Sequence, residues 1–181
     1  NPADLYVTAT GKTWFLVGPS VRFVLEGDLV EPVAPRDIIH YIAGEYGDFV
    51  GKNLEFAGPT VDAMSIAGRQ NIATMSAEVS AEFALFEADA KTLAYLRDRT
   101  STPFEPVSPD SGASYEAVHH INVSALTPQV ALPGKVPHNV TPASDIRGVK
   151  ITQAFIGSCA NGRLEDLAVA ARMLEGRKVH P

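Results

Sequence analysis

Apolar residues recur along the chain at two spacings, close together in short runs and every third or fourth position in longer ones. That mixture predicts strands alternating with helices. Leu5-Tyr6-Val7, Trp14-Phe15-Leu16-Val17 and residues 21–25 read as strands, with turns at Gly18-Pro19 and Glu26-Gly27-Asp28. Val33-Ala34-Pro35-Arg36-Asp37 opens a helix with proline in its first turn, Ile38, Ile39 and Ile42 share one face, and Gly47 is its stop. Residues 54–57 form a short strand. Gly58-Pro59-Thr60 starts a helix that runs through Met64 and that Gly68 closes. Asp89 caps a helix whose inner face includes Leu93 and Leu96. Residues 99–112 turn to Pro, Ser, Thr and Asp and mark a linker or long loop. Residues 118–123 return to a strand in which His119 and His120 face opposite ways and have structural roles. Prolines at 128, 133, 137 and 142 make residues 126–145 extended connecting chain. The alternation implies an α/β layered architecture.

Two stretches carry more than packing information. Across residues 71–82, Ile72, Met75 and Val79 make an apolar helical stripe, and Asn71, Thr74 and Glu78 make a polar one beside it. Small residues fill the rest, which predicts a packed helix with close neighbours. Burial there, and Glu82 four residues on, would raise the pKa of Glu78.

Residues 151–176 hold the only cysteine, Cys159. Ile151, Ala154, Phe155 and Ile156 predict a buried strand. Gly157 breaks it, Ser158-Cys159-Ala160 turns, and Asn161 is the expected N-cap of the next helix. Leu164, Leu167, Ala168, Ala171 and Leu174 share a face of that helix, and Gly176 lies beyond its end. A helix start beside the turn would offer an anion site and favour a thiolate at Cys159. Three roles stand open for that sulfur: a small buried residue, a nucleophile served by His119 or His120, or a metal or cluster ligand.

Composition narrows the surroundings. A net charge of −6, with 15 basic and 21 acidic residues and no long block of either sign, argues against a nucleic-acid partner. A lone cysteine with no signal-like start fits a reducing, cytoplasmic setting. No apolar run approaches the roughly 18 residues of a membrane span. The Asn1-Pro2 start, and a stop after a helix where another strand is expected, read as part of a longer protein.

The segment IGSCANGRLEDL resembles the IGSCTNGR-type motif of the aconitase family, most closely that of its isopropylmalate and homoaconitate dehydratase large subunits. EFAGPTVDAMSIAGRQNIATMSAEVSAE is similar to the family segment ending in an NMS-x-E-type sequence, and PRDIIHYIAGEYG resembles its KDI-type helix. The resemblance covers the chain from about Gly11 onward. It implies a partial three-layer α/β/α iron–sulfur domain and a hydro-lyase that moves a hydroxyl between adjacent carbons of a di- or tricarboxylic acid. On it, Cys159 is one of three cysteine ligands to a [4Fe–4S] cluster and Glu78 is an active-site carboxylate. Thr74, Ser158 and Asn161 then lie around substrate and cluster.

Departures qualify that match. Thr74 stands where the family has asparagine and Ala160 where it has threonine, changes that would remove polarity near the cluster. The later Cys-x-x-Cys is not in the sequence, and neither are the upstream histidine and aspartate motifs nor the serine of a swivelling domain or small subunit. The chain alone is therefore expected to be inactive and to carry no cluster. Arg69 and Arg163 could bind substrate carboxylates but are equally well read as exposed helix-end residues, and they stay outside the predicted site. The expected division is 1–100, carrying Glu78; 101–147, linker and connecting strand; and 148–181, the start of a second subdomain carrying Cys159. A free-standing anion- or metabolite-binding α/β domain is the alternative.

Overall fold

The computed structural model describes residues 2–134 and 138–178, with the side chains of Pro2 and Ala3 left aside. Proline 137, one of those placed in the connecting stretch, lies outside the described residues. Four parallel strands form the centre: β1 Ser20–Glu26, β2 Asn53–Ala57, β3 Phe83–Phe86 and β4 Ala117–Asn122, in the order β3-β2-β1-β4. α2 (Pro35–Tyr46) and α4 (Ile66–Met75) pack on one face. Phe23, Phe56, Ile38, Ile39, Ile42 and Ile72 meet there with at most 1 % exposure. The α/β class is as expected.

Register explains that core. Phe23 pairs with Phe56, Phe56 with Phe86, and Phe23 on its other side with His119. Same-face residues opposite one another in neighbouring strands stack. Their rings therefore form a row, with centroids 5.2 Å apart for Phe86–Phe56, 5.8 Å for Phe56–Phe23 and 5.2 Å for Phe23–His119. His119 faces in and His120 out, as the strand period predicts. The opposite face carries Arg22, Glu55, Leu85 and Val118 and meets residues 107–115, where Tyr115 donates its hydroxyl to Glu55.

Local chemistry sets the boundaries. Pro35 opens α2, the Asp37 carboxylate accepts from the Ala34 N–H at 2.8 Å, and Gly47 follows its end. The helix begun at Pro59 (α3, Pro59–Ala63) stops before Met64, and Ser65 caps α4 by accepting from the Gly68 N–H at 3.0 Å. Gly68 thus lies inside a helix rather than closing one. Asp89 caps α5 (Ala90–Arg97) as expected. The described residues of 126–145 contain a short antiparallel pair, β5 (Gln129–Ala131) with β6 (Val140–Pro142), and a 3-10 turn.

Several expectations fail for one reason: an apolar run needs a partner to become a buried strand. Leu5-Tyr6-Val7 lies in α1 (Pro2–Thr10), exposed, with Thr8 and Thr10 hydroxyls donating back to the carbonyls of Asp4 and Tyr6. Trp14-Phe15-Leu16-Val17 forms no ladder and is exposed, although Phe15 meets Phe83 at the sheet edge. Residues 151–156 are likewise unpaired, with Phe155 81 % exposed. α6 (Leu164–Leu174) forms, but Leu164, Leu167, Met173 and Leu174 on it are exposed. In contrast, residues 83–86, which the apolar pattern did not single out, become edge strand β3. No helix among the described residues is long and apolar enough to cross a membrane.

Candidate functional site

The Cys159 turn sits on α4. Asn71, 4 % exposed in mid-helix, donates its side-chain N–H to the Ala160 carbonyl at 2.8 Å. Arg163 donates to the same carbonyl at 3.2 Å and to Gln70 at 3.1 Å. Ser65, at the head of α4, donates to Glu165 at 2.9 Å. The Ala160 methyl enters the main core at 6 % exposure, while Cys159, one residue earlier, is exposed. The turn is therefore plugged into the main core on one side and presents a thiol on the other.

Backbone strain shapes that presentation. Ser158 has φ 84°, a left-handed conformation uncommon for a residue with a side chain. A Cβ on Gly162 would stand 2.7 Å from the Ser158 carbonyl oxygen, so the loop closes on itself only with glycine there. Burial of Ala160 also changes the reading of its departure from the family pattern. Its side chain faces the core and not the open side of the turn.

The helix start is not where sequence placed it. α6 begins at Leu164 with Arg163 as N-cap, whose N–H donates to Asp166 at 3.0 Å. Asn161 lies two residues upstream and donates to the other Asp166 oxygen at 2.9 Å. A carboxylate in the first turn satisfied the end more directly than the asparagine could. Cys159 is thus separated from the first turn by residues 160–163, and Glu165 and Asp166 occupy the region expected to attract an anion.

Glu78 is also displaced from its expected setting. α4 ends at Met75, a 3-10 turn spans Ser76–Val79, and Ser80 is left-handed at φ 61°. Val79 enters the core at 0 % exposure, as its place on the apolar stripe predicts, but in this tighter turn Glu78 lies on the surface. The packed, desolvated carboxylate expected from small neighbours is not formed. Thr74, half-buried, shares the stripe. Among the described residues no hydrogen bond or ion pair joins Thr74 or Glu78 to the Cys159 turn; Asn71 is the member of the stripe that reaches it.

Asn71 and Arg163 are the residues whose importance was missed. Asn71 stood on the polar stripe, but its partner lies 89 positions away. Arg69 is not an exposed helix end: it is 4 % exposed and bonds Asp89, Thr92 and the Val61 carbonyl. Its guanidinium holds the Asp89 carboxyl well below the usual carboxylate range.

Among the described residues no three His, Cys, Asp or Glu side chains converge as a metal-binding group. An exposed thiol on a stiff, glycine-closed turn does fit one corner of an iron–sulfur cluster, the remaining ligands coming from elsewhere.

Comparison with known proteins gives the family. The family model described as "Aconitase family (aconitate hydratase)" matches residues 5–147 and 135–181. The chain belongs to the aconitase family. It is 42 % identical, over 100 % of its length and 43 % of the relative's, to a protein of Mycolicibacterium smegmatis named 3-isopropylmalate dehydratase large subunit. A protein of the same name from Oleidesulfovibrio alaskensis is 45 % identical over 95 % of this chain and 41 % of its own. A probable methanogen homoaconitase large subunit of Methanothermobacter thermautotrophicus is 41 % identical over 96 % and 41 %. This aconitase-family chain thus spans about two fifths of the length of these curated relatives.

Proposed function

We propose that the chain is the central part of the large subunit of an iron–sulfur hydro-lyase. The enzyme isomerises a hydroxy di- or tricarboxylic acid such as isopropylmalate, in leucine or a related amino-acid biosynthesis. Identity of 42 % across the whole chain with a relative named as a dehydratase large subunit carries the reading. The seating of the Cys159 turn on the helix that leads to Glu78 supports it.

The reaction removes a proton from one carbon and hydroxide from its neighbour, then returns water with the positions exchanged. Cys159 would hold one corner of a [4Fe–4S] cluster, which when bound supplies Lewis acidity toward a substrate hydroxyl. Glu78, at the solvent-facing end of the stripe, would hold or move the proton that accompanies the hydroxyl. Thr74 lies between it and Asn71, and Ser158 and Asn161 frame the thiol. Residues 148–181 open a second subdomain that supplies Cys159, whereas 1–100 carries Glu78 and 101–147 adds β4 to the same sheet and connects the two. A small subunit or swivelling domain supplies the remaining groups. An anion-binding domain without catalysis is less well supported, because acidic side chains crowd the helix start that would bind the anion.

The test is reconstitution of the full-length protein with iron and sulfide. A cluster absorbance that Cys159→Ser abolishes is expected. Glu78→Gln should keep the cluster and lower kcat by about a hundredfold. A protein that forms no cluster, or that keeps full activity as Cys159→Ser, would sink the reading.

A further inference from the structure

We infer that Asn71 is a positioning residue, the clamp that holds the Cys159 turn in register with the Thr74–Glu78 end of α4. The inference deepens the hydro-lyase reading and rests on it for its catalytic consequence, though not for the clamp itself.

Three observations converge on this contact. First, Asn71 is buried in mid-helix, and its amide N–H reaches the Ala160 carbonyl at 2.8 Å. Second, its Oδ1 is buried without a hydrogen-bond partner among the described residues. A buried orphan acceptor costs stability and needs a reason. Leucine or alanine at this mid-helix position would avoid that cost, so the donor that faces Ala160 is what the amide supplies. Third, Ala160 is itself a core residue while Cys159 is exposed, so fixing one peptide fixes where the next side chain projects. Arg163 reinforces the contact from the turn's own side, at 3.2 Å to the same oxygen and 3.1 Å to Gln70.

The geometry matters because the two chemical groups stand on different segments. Glu78 follows α4 directly, whereas Cys159 belongs to a turn 81 positions later that reaches α4 through residues 160 and 163. Among the described residues, Asn71 and Gln70 are the α4 side chains hydrogen-bonded to residues 158–163. Of the two, Asn71 is the buried one. A donor that binds the turn at one backbone carbonyl sets the spacing of thiol and carboxylate without touching either.

The chain's single cysteine makes a direct measurement practical. Spin labels on Cys159 and on Ala77→Cys, the exposed neighbour of Glu78, report the spacing as an electron–electron distance distribution. A reference pair, Ala77→Cys with His120→Cys in a Cys159→Ser background, reports the end of α4 against the central sheet without the turn. With Asn71 present the 77–159 distribution should be narrow. Asn71→Ala, and the near-isosteric Asn71→Asp that turns an acceptor toward the Ala160 carbonyl, should broaden it while leaving the reference pair unchanged. Equal distributions in all three proteins overturn the clamp, and so does equal broadening of both pairs, which would mark Asn71 as an ordinary core residue. In the reconstituted full-length protein, Asn71→Asp should keep the cluster absorbance and lower kcat about tenfold, the worth of one hydrogen bond, with KM little changed. Unchanged kcat overturns the positioning role. Absence of a cluster with Asn71 in place overturns the hydro-lyase reading instead, and the distance measurement then decides the clamp by itself.

Discussion

Gly162 lies against the Ser158 carbonyl so closely that a Cβ would stand 2.7 Å from its oxygen. Both residues flank Cys159, and Ser158 already carries positive φ. Gly162→Ala should therefore leave the sheet intact and open the turn. Far-UV circular dichroism should change little. The reconstituted full-length variant should retain less iron than the native protein after desalting. Full iron retention would show that the loop tolerates the methyl group.

The Arg69–Asp89 pair joins α4 to the cap of α5. Asp89→Asn leaves a buried guanidinium short of its counter-ion. A fully buried pair would cost about 3–5 kcal/mol to break. The Asp89 side chain is 33 % exposed, so about 2 kcal/mol is expected in urea unfolding.

The same pair has a pH signature. The Arg69 hydrogen bond depresses the Asp89 pKa below its ordinary 3.8, so the folded state binds that proton less readily than the unfolded chain. Its stabilisation is complete above about pH 4 and is lost as pH falls through and below that value. Asp89→Asn should flatten this part of the stability–pH curve. A curve unchanged below pH 4 would contradict the pairing.

His40 acts in a higher window. Burial first, and then Arg36, lower its pKa from the ordinary 6.5 against the opposing pull of Asp37. Its Nε2 accepts from Arg36 at 3.0 Å, while Nδ1 is buried without a partner among the described residues. A histidine held neutral in the fold takes up its proton more readily when unfolded. Stability is then full above about pH 7 and declines as pH falls below 6.5. His40→Gln should remove that decline, and imidazole chemical shifts should show His40 titrating below an exposed histidine.

Asp37 joins two elements through two oxygens. One accepts from the Ala34 N–H and the other from the Gln129 N–H, each at 2.8 Å. Asp37→Ala should cost about 2–3 kcal/mol through the loss of two charge-assisted bonds. Hydrogen exchange should rise at Gln129 more than in β1 and β2.

What could be read from sequence divides along the range of the forces involved. Pro35 with Gly47, Asp89 as a cap, and the alternation of His119 and His120 depend on a few neighbours, and these held. The Ile38, Ile39 and Ile42 face found its sheet as expected. Residues 151–156 and the leucines of α6 have the right pattern but meet no partner among the described residues. The Glu78 prediction assumed an uninterrupted helix, and a 3-10 turn after Met75 rotated the carboxylate outward. Asn161 lost the N-cap position because Arg163 and Asp166 formed a better end two residues later. The docking of Ala160 on Asn71 joins residues 89 positions apart and left no local trace beyond an asparagine on a helical stripe.

The aromatic row and the exposed amino-terminal stretch together decide how this protein can be watched. Trp14, the sole tryptophan, is 83 % exposed and touches none of the ring stack. Its fluorescence will resemble that of a free indole in water both before and after unfolding. The optical record of the native core is carried instead by Phe86, Phe56, Phe23 and Tyr46, whose ring meets Phe23 edge-on at 5.4 Å, in the asymmetric near-ultraviolet bands that fixed aromatic rings produce. A denaturation curve followed by tryptophan emission would look flat for a protein that was unfolding.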